Sequence, residues 1–201
     1  MEKIDFKKEP RFCYKASAKE VELVTIPSMK YLMIDGKGDP GSNDFSNAVE
    51  ALFGLAYTLK FMVKKGPEQI DYGVMPLEGL WWADDMNTFI SRDKSQWMWT
   101  AMIMQPELIT DELVASASKA LKLKKDPKSL DLIRFENFEE GKCAQVLHIG
   151  PFEEEGPTIQ KMHEKISEAG TMTGKHHEIY LSDIRRAAPE KWKTILRQPY
   201  K

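Results

Sequence analysis

The stretch HHEIYLSD, residues 176–183, has the alternating pattern of a β-strand that is buried on one face. Side chains two residues apart in a strand point the same way, so Glu178 and Tyr180 share one face and Ile179 lies on the other. A carboxylate beside a phenol in an apolar cavity attracts a cation or takes part in proton transfer, whereas the same carboxylate in water does neither. Glu178 and Tyr180 are therefore the first candidates for a functional site.

The segments around this stretch predict the order strand, helix, strand, strand for the second half of the chain. The run KCAQVLHI, residues 142–149, is a predicted strand that ends at a Gly-Pro pair. Apolar residues at helical spacing over 159–169 predict a helix that ends at Gly170. HHEIYLSD and WKTILRQP, residues 192–199, are then the last two strands, and we expect them to pair with each other.

The first half of the chain repeats this order. The run MKYLMID, residues 29–35, is a predicted strand, and a glycine-rich turn follows it. Apolar residues at helical spacing over 48–63 predict a helix with Ser42 or Asn43 as its N-cap. The next two predicted strands, which we expect to form one hairpin, are residues 70–82 and 97–104.

Two β-α-β-β units predict an α+β fold with pseudo-twofold symmetry, in which the helices lie on one side of the sheets and a central ligand cleft lies on the other. We predict a single domain over residues 1–201. Its first repeat spans about 29–106 and its second about 131–200. Between them, an inserted helix with Thr110 as its N-cap and a Lys-rich linker occupy about 110–130.

Composition excludes several classes of protein. The 201 residues carry 29 Lys and Arg against 31 Asp and Glu, so we expect no nucleic-acid partner. No run approaches the ~20 apolar residues of a membrane span and the chain starts with a charged segment, so we expect a cytoplasmic protein with no membrane partner. Cys13 and Cys143 form no Cys-x-x-Cys pair, so we expect buried thiols and no disulfide framework. The sequence does not indicate an oligomeric state.

The run WMWTAMIM, residues 97–104, supplies aromatic candidates for a ligand cleft. Trp97 and Trp99 share one face of this strand, and the methionines share the other. If the methionines cover the helices, the two indoles line the cleft, where each stabilises a planar cation by ~0.5 to 2 kcal/mol. Methionine also suits an adaptable lining, and the two tryptophans could equally belong to the core.

Two further aromatic candidates lie earlier in the first half. Trp81 and Trp82 are adjacent, so they point to opposite faces of a strand and at most one lines the cleft. We select Trp82 for this role. Tyr72 is the counterpart of Tyr180 if the two halves are related by the pseudo-twofold axis.

The sequence offers no convincing cofactor motif. His176 and His177 precede Glu178 without the helical i, i+4 spacing of a metalloprotease site, so we predict no metal. We interpret the glycine cluster at 36–41 as a turn and not as a phosphate-binding loop. No Gly-x-Ser-x-Gly elbow is present, which argues against a serine nucleophile. We therefore expect no cofactor.

Three segments carry a resemblance to a known family. They are YLMIDGKGDP at 31–40, PLEGLWW at 76–82, and HHEIYLSD followed by RRAAPEKWKTILR within 176–197. Together with the order of elements, they resemble the GyrI-like small-molecule-binding family, whose fold is shared with the effector-binding domains of multidrug-sensing transcription activators. The resemblance covers residues 29–200. No segment before Met29 is long enough for a helix-turn-helix domain, so we do not expect a transcription factor.

The resemblance implies a cleft with aromatic walls and a carboxylate at the position of Glu178. It also implies that a stand-alone member such as this one is a cyclopropane hydrolase, which opens the strained ring of DNA-alkylating pyrroloindole compounds of the yatakemycin type and so detoxifies them. In that mechanism Glu178 orients water or stabilises charge, Tyr180 donates a hydrogen bond, and the tryptophans form an aromatic cage. The roles of Glu178 and Tyr180 could also be exchanged.

Two alternatives stay open at this point. One is a protein that binds or sequesters aromatic amphiphiles without changing them, since a tight drug pocket and an active site use the same parts. The other concerns Glu178, which without the resemblance would be interpreted as a surface carboxylate or as an ion-pair partner of Arg185 or Arg186.

Overall fold

The computed structural model describes residues 2–8, 13–85 and 93–201. In chain order the strands β1 to β10 are Glu2–Ile4, Glu22–Ile26, Met29–Lys37, Ile70–Tyr72, Glu78–Trp82, Met98–Gln105, Arg134–Phe138, Gly141–Ile149, His176–Tyr180 and Lys193–Pro199. The helices α1 to α3 are Asn43–Lys65, Asp111–Lys124 and Gly156–Ala169. These elements fall into two units. The first unit is built from described residues of the ranges 1–6, 29–77 and 82–138, and the second from those of 7–28, 78–81 and 139–201.

The predicted order strand, helix, strand, strand occurs in both halves, which confirms the α+β class. In the first half it is β3, α1, β5 and β6, and in the second it is β8, α3, β9 and β10. The inserted helix is α2, and Thr110 caps it, because its Oγ1 accepts a hydrogen bond from the backbone N–H of Leu113 at 3.3 Å. Among the described residues, none of the helices combines the length and hydropathy required to cross a membrane.

The first unit holds three strands in the antiparallel order β6-β3-β7. Ser42 is the N-cap of α1, since its Oγ accepts a hydrogen bond from the N–H of Phe45. β1 and β4 form a separate two-stranded parallel sheet. The predicted single strand over 70–82 is wrong, because the structure divides it into β4 and β5. Pro76 lies between the two and has no N–H to donate to a strand ladder.

The second unit holds five strands in the antiparallel order β2-β8-β10-β9-β5. β9 and β10 pair as predicted, with Leu196 opposite Glu178 and Thr194 opposite Tyr180. α3 packs against one face of these strands through a core of Ala144, Val146, Met162, Ile166 and Leu196. Because directly opposite residues share a face, Glu178 lies on the same face as this core.

The opposite face of the second unit carries four buried charged side chains, Glu78, His177, Glu140 and Arg197, which we call the buried charge row. The ring nitrogens of His177 lie 3.0 Å from Glu78 Oε2 and 3.0 Å from Glu140 Oε1. Arg197 Nη1 lies 3.0 Å from the other oxygen of Glu140. Tyr14 donates its hydroxyl to Glu78 at 2.7 Å. Each of the four is at most 1% exposed, so its counter-charge has to come from within the protein.

The contacts of the buried charge row determine its protonation. Nε2 of His177 is hydrogen-bonded to Glu78, and Nδ1 lies 3.0 Å from a carboxylate oxygen of Glu140, so two negative charges next to the ring favour the charged imidazole. Burial alone would lower the pKa of His177, but Glu140 and Glu78 raise it to about 9. Burial alone would likewise raise the pKa of Glu140, but His177 and Arg197 lower it to about 2. His177 and Glu140 are therefore both charged at neutral pH.

The glycines at 36, 38 and 41 have the G-x-G-x-x-G spacing of a dinucleotide-binding loop, but the fold around them is different. β3 is antiparallel to both β6 and β7, whereas that loop requires a parallel β-α-β unit. The segment is the predicted turn, with a φ of 101° at Gly38. Gly36 makes room for an indole, since a Cβ there would fall on the ring of Trp99.

We expect Gly36→Ala to lower the free energy of unfolding by about 1–3 kcal/mol, the usual cost of overpacking. Trp99 is only 2% exposed, so its ring has little room to move away from the added methyl group. Gly73→Ala is the matched control, because a Cβ at Gly73 would meet no atom within 4 Å. Urea unfolding measures both variants, and equal losses in the two would contradict the close packing at Gly36.

Candidate functional site

Glu178 and Tyr180 lie on the same face of β9, as predicted, and the structure brings them into contact. The hydroxyl of Tyr180 donates a hydrogen bond to Glu178 Oε2 at 2.6 Å. Glu178 is half-buried, with 17% of its side chain exposed. Burial raises the pKa of Tyr180 well above its ordinary value, and the charge of Glu178 and the hydrogen bond to it add to the effect. The phenol therefore keeps its proton and holds the carboxylate in place.

Trp81 extends this contact into a hydrogen-bonded chain. Its indole Nε1 donates to the hydroxyl oxygen of Tyr180 at 3.1 Å. β5 pairs with β9 so that Gly79 lies directly opposite Glu178, which places Trp81 on the same face. A Cβ at Gly79 would lie 2.7 Å from the indole nitrogen and 3.1 Å from the Tyr180 hydroxyl, so glycine provides the space that the chain occupies. The residue predicted from this pair was Trp82, and the role of Trp81 was not predicted.

Two more aromatic rings border Tyr180. Phe152, in a short 3-10 helix at Phe152–Glu154, meets Tyr180 edge-on, with ring centroids 5.7 Å apart. Trp192 packs against Phe152 with centroids 4.9 Å apart. Its indole nitrogen donates to the backbone oxygen of Ala187 at 2.9 Å, which fixes the ring. Phe152 and Trp192 are both half-buried, so part of each ring is available to a flat ligand.

Glu155 is a second carboxyl group near Glu178, and it was not among the residues predicted from the sequence. It lies directly before α3, it is only 4% exposed, and its Oε1 has no hydrogen-bond partner among the described residues. Burial and the charge of Glu178 raise the pKa of Glu155 to about 9, although a hydrogen bond with Thr194 acts in the opposite direction. These surroundings favour the neutral carboxylic acid form of Glu155 at pH 7.

One histidine lies beside Glu178, and a second lies near that histidine. His176 Nε2 is 3.5 Å from Glu178 Oε1, the carboxylate oxygen that Tyr180 does not contact. Burial and the nearby His176 lower the pKa of His163, which belongs to α3. In the part of the chain that the structure describes, no three His, Cys, Asp or Glu side chains are grouped so that they could hold a metal ion.

We call these side chains together the Glu178 cluster, which comprises Gly79, Trp81, Phe152, Glu155, Glu178, Tyr180, Trp192 and Thr194. All of them belong to the second unit. The cluster combines the buried carboxyl group of Glu155 with the partly exposed carboxylate of Glu178, whose hydrogen-bond partner Tyr180 packs against Phe152. Two carboxyl groups in different protonation states can act as acid and base, and a carboxylate beside aromatic rings can also receive a cation.

The other predicted ligand-binding residues belong to the first unit. Trp99 is buried, and its ring meets Phe45 of α1 edge-on at 5.0 Å. Tyr72 is buried in β4, whereas Trp97 and Trp82 are half-buried. The roles of Trp97, Trp99, Trp82 and Tyr72 in ligand binding stay predictions.

The arginines considered as partners of Glu178 form ion pairs with a different carboxylate. Arg185 Nε lies 2.9 Å from Asp183, and Arg186 Nε lies 3.6 Å from it. Both arginine side chains are more than 80% exposed, so these pairs are worth little.

A cavity of about 350 Å³ opens elsewhere in the second unit, between β8 and α3. The polar side chains that line it already have partners. His148 contacts Thr158 Oγ1 at 3.1 Å and the backbone oxygen of Pro151 at 3.2 Å. Lys161 donates to the backbone oxygen of Lys19. We therefore place the candidate site at the Glu178 cluster, where Glu155 retains an unpartnered oxygen.

Comparison with protein families gives one match, and the curated proteins give none. The sequence model of a GyrI-like small molecule binding domain matches residues 19–201, which is most of the chain. No curated protein matches the sequence.

The solved structures that resemble this chain fall into two groups, at 40% and at 14% sequence identity. An uncharacterized conserved protein from Listeria innocua is 40% identical, with a TM-score of 0.91 over 98% of this chain and 100% of that one. A hydrolase from Listeria innocua is also 40% identical, with a TM-score of 0.86 over 98% of this chain and 100% of that one. The C-terminal domain of EcmrR is 14% identical, with a TM-score of 0.55 over 90% of this chain and 97% of that one, a likeness that shows a shared fold only.

Proposed function

The chain belongs to the GyrI-like small-molecule-binding family, and on this basis we propose that it binds aromatic amphipathic molecules at the Glu178 cluster and hydrolyses the cyclopropane ring of DNA-alkylating pyrroloindole-type compounds. The observation that carries the proposal is the hydrogen-bonded chain from Trp81 through Tyr180 to Glu178, beside half-buried rings. The 40% identity to a hydrolase from Listeria innocua favours catalysis over binding alone. The proposed role is detoxification in the cytoplasm.

The proposed reaction adds water across one carbon–carbon bond of the strained ring. The oxygen of water bonds to the ring methylene carbon while the carbon–carbon bond breaks. The electron pair of that bond moves through the conjugated ring system to a carbonyl oxygen. Glu178 orients the water and takes its proton, or stabilises the positive charge that develops at the attacked carbon.

Tyr180 acts in this mechanism as a positioning residue. Its O–H donates to Glu178 and its oxygen accepts from Trp81, so the three groups hold one carboxylate orientation. Such control matters because a displacement of ~1 Å can cost ~10²-fold in rate. The half-buried rings of the Glu178 cluster hold the flat substrate and form the proposed aromatic cage.

Mass spectrometry of a yatakemycin-type compound, supplied in excess over the protein, tests the proposal. We expect a product heavier by one water molecule, formed over many turnovers and absent without protein. An unchanged compound that quenches tryptophan fluorescence would leave a binding protein without catalysis. A compound that is unchanged and causes no quenching would contradict the proposed ligand class as well.

A further inference from the structure

The proposed ring opening needs a proton donor at the carbonyl oxygen, and the only O–H of Tyr180 is already directed at Glu178. We infer that Glu155 is the general acid of the Glu178 cluster, which gives its proton to that carbonyl oxygen while Glu178 receives a proton from the attacking water. The choice of substrate rests on the proposed function. The neutral state of Glu155 does not, and it can be tested without any substrate.

The surroundings of Glu155 favour the neutral acid. The side chain is more than nine-tenths buried, and its Oε1 contacts no hydrogen-bond donor among the described residues. The charges that act on it are those of Glu178 on β9 and of Glu153 in the preceding 3-10 helix, and both are negative. Thr194 forms a hydrogen bond with Glu155 through its hydroxyl group, the charge of Glu155 acts on Tyr180, and both neighbours are uncharged hydroxyl groups. A buried carboxyl group near a second carboxylate keeps its proton, because ionisation would place two negative charges together.

The two carboxyl groups therefore have different environments and different roles. Glu178 is partly exposed and accepts a hydrogen bond from Tyr180. Glu155 has the neutral hydroxyl group of Thr194 as a hydrogen-bond partner, but its Oε1 has none among the described residues, and its burial favours the protonated form. Two carboxyl groups in different environments, one buried and one partly exposed, are a recurrent acid and base pair in enzymes.

Every proton is accounted for over one turnover. Glu155 loses one proton to the carbonyl oxygen, which becomes a hydroxyl group as it takes up the electron pair of the broken bond. Glu178 gains one proton from water as the new carbon–oxygen bond forms. Transfer of that proton from Glu178 to Glu155 restores the starting state, so one water molecule is consumed and no other reactant is needed.

Infrared spectroscopy tests the protonation of Glu155 directly in the protein without ligand. We expect the carbonyl stretching band of a protonated carboxylic acid at pH 7, and we expect it to disappear as the pH rises through about 9. Glu155→Gln should remove this band. Glu154→Gln is the matched control, since Glu154 is the exposed neighbour, and it should keep the band. Absence of the band from the unsubstituted protein would overturn the inference.

Kinetics with the yatakemycin-type compound tests the role of the acid. We expect Glu155→Gln to lower kcat by about 10²-fold or more. The unsubstituted enzyme should lose activity as the pH rises through about 9, and the residual activity of the variant should lack this loss. Turnover that Glu155→Gln leaves unchanged would overturn the general-acid role. If the unsubstituted protein shows the infrared band but no turnover, the proposed hydrolysis and the acid role fail, whereas the neutral state of Glu155 is confirmed.

Discussion

Glu140→Gln should lower the free energy of unfolding by about 3–5 kcal/mol, the range found when one partner of a buried ion pair is removed. Glu140 is the centre of the buried charge row, with one oxygen 3.0 Å from His177 and the other 3.0 Å from Arg197. Glutamine preserves the shape of the side chain but removes its charge. Two positive groups that are at most 1% exposed would then lose the carboxylate between them.

Urea unfolding at neutral pH measures this loss. Glu136→Gln is the matched control, because it removes the same charge from an ion pair on the surface. Glu136 lies 3.1 Å from Arg134, but its side chain is 51% exposed, so we expect a change within about 0.5 kcal/mol. Similar losses in the two variants would contradict the importance that we assign to burial.

The pH dependence of the stability difference between the unsubstituted protein and Glu140→Gln provides a second measurement. Because the pKa of Glu140 falls to about 2 in the folded protein, its stabilising effect is complete above its ordinary pKa of 4.5 and is lost as the pH falls towards 2. The pKa of His177 rises to about 9, so its effect is complete below 6.5 and is lost as the pH rises through 9. The stability difference between the unsubstituted protein and Glu140→Gln should therefore be largest between pH 4.5 and 6.5 and shrink on both sides. A difference independent of pH would contradict these charge states.

Patterns within single segments allowed much of the fold to be predicted. The period of two along β9 placed Glu178 and Tyr180 on one face, and their side chains are in contact. Apolar residues at helical spacing gave α1 and α3, and Ser42 and Thr110 are N-caps as expected. These features depend on residues close together in the chain, which is why one sequence was sufficient to identify them.

Groups that meet across long separations could not be predicted in the same way. Trp81 and Tyr180 are 99 residues apart, as are Glu78 and His177, and the register of β5 against β9 brings each pair together. Glu155 ends an acidic run of three residues that resembles a solvated surface. Its burial becomes apparent only in the fold, where the 3-10 helix before it packs against β9 through Phe152 and Tyr180.

Glu178→Gln should lower kcat for the yatakemycin-type compound by about 10²–10⁴-fold, the usual contribution of a positioned acid or base. Glutamine keeps the size of the side chain and can still accept a hydrogen bond from Tyr180, which now reaches the carboxylate at 2.6 Å. It carries no negative charge, however, and it cannot take a proton from water. We therefore expect the affinity for an uncharged cyclopropane substrate to stay close to that of the unsubstituted protein, so that the loss appears in kcat and not in binding.

Two measurements separate the loss of rate from any loss of affinity. Single-turnover kinetics with mass-spectrometric detection gives the rate, and the quenching of tryptophan fluorescence gives the affinity. Glu154→Gln, an exposed substitution on the 3-10 helix before Glu155, should leave both unchanged. Tyr180→Phe retains the ring but removes the hydroxyl that positions the carboxylate, so it should lower kcat by less than Glu178→Gln does. Unchanged turnover in Glu178→Gln would remove this carboxylate from the chemistry. A loss of affinity equal to the loss of kcat/KM would instead limit Glu178 to binding the ligand.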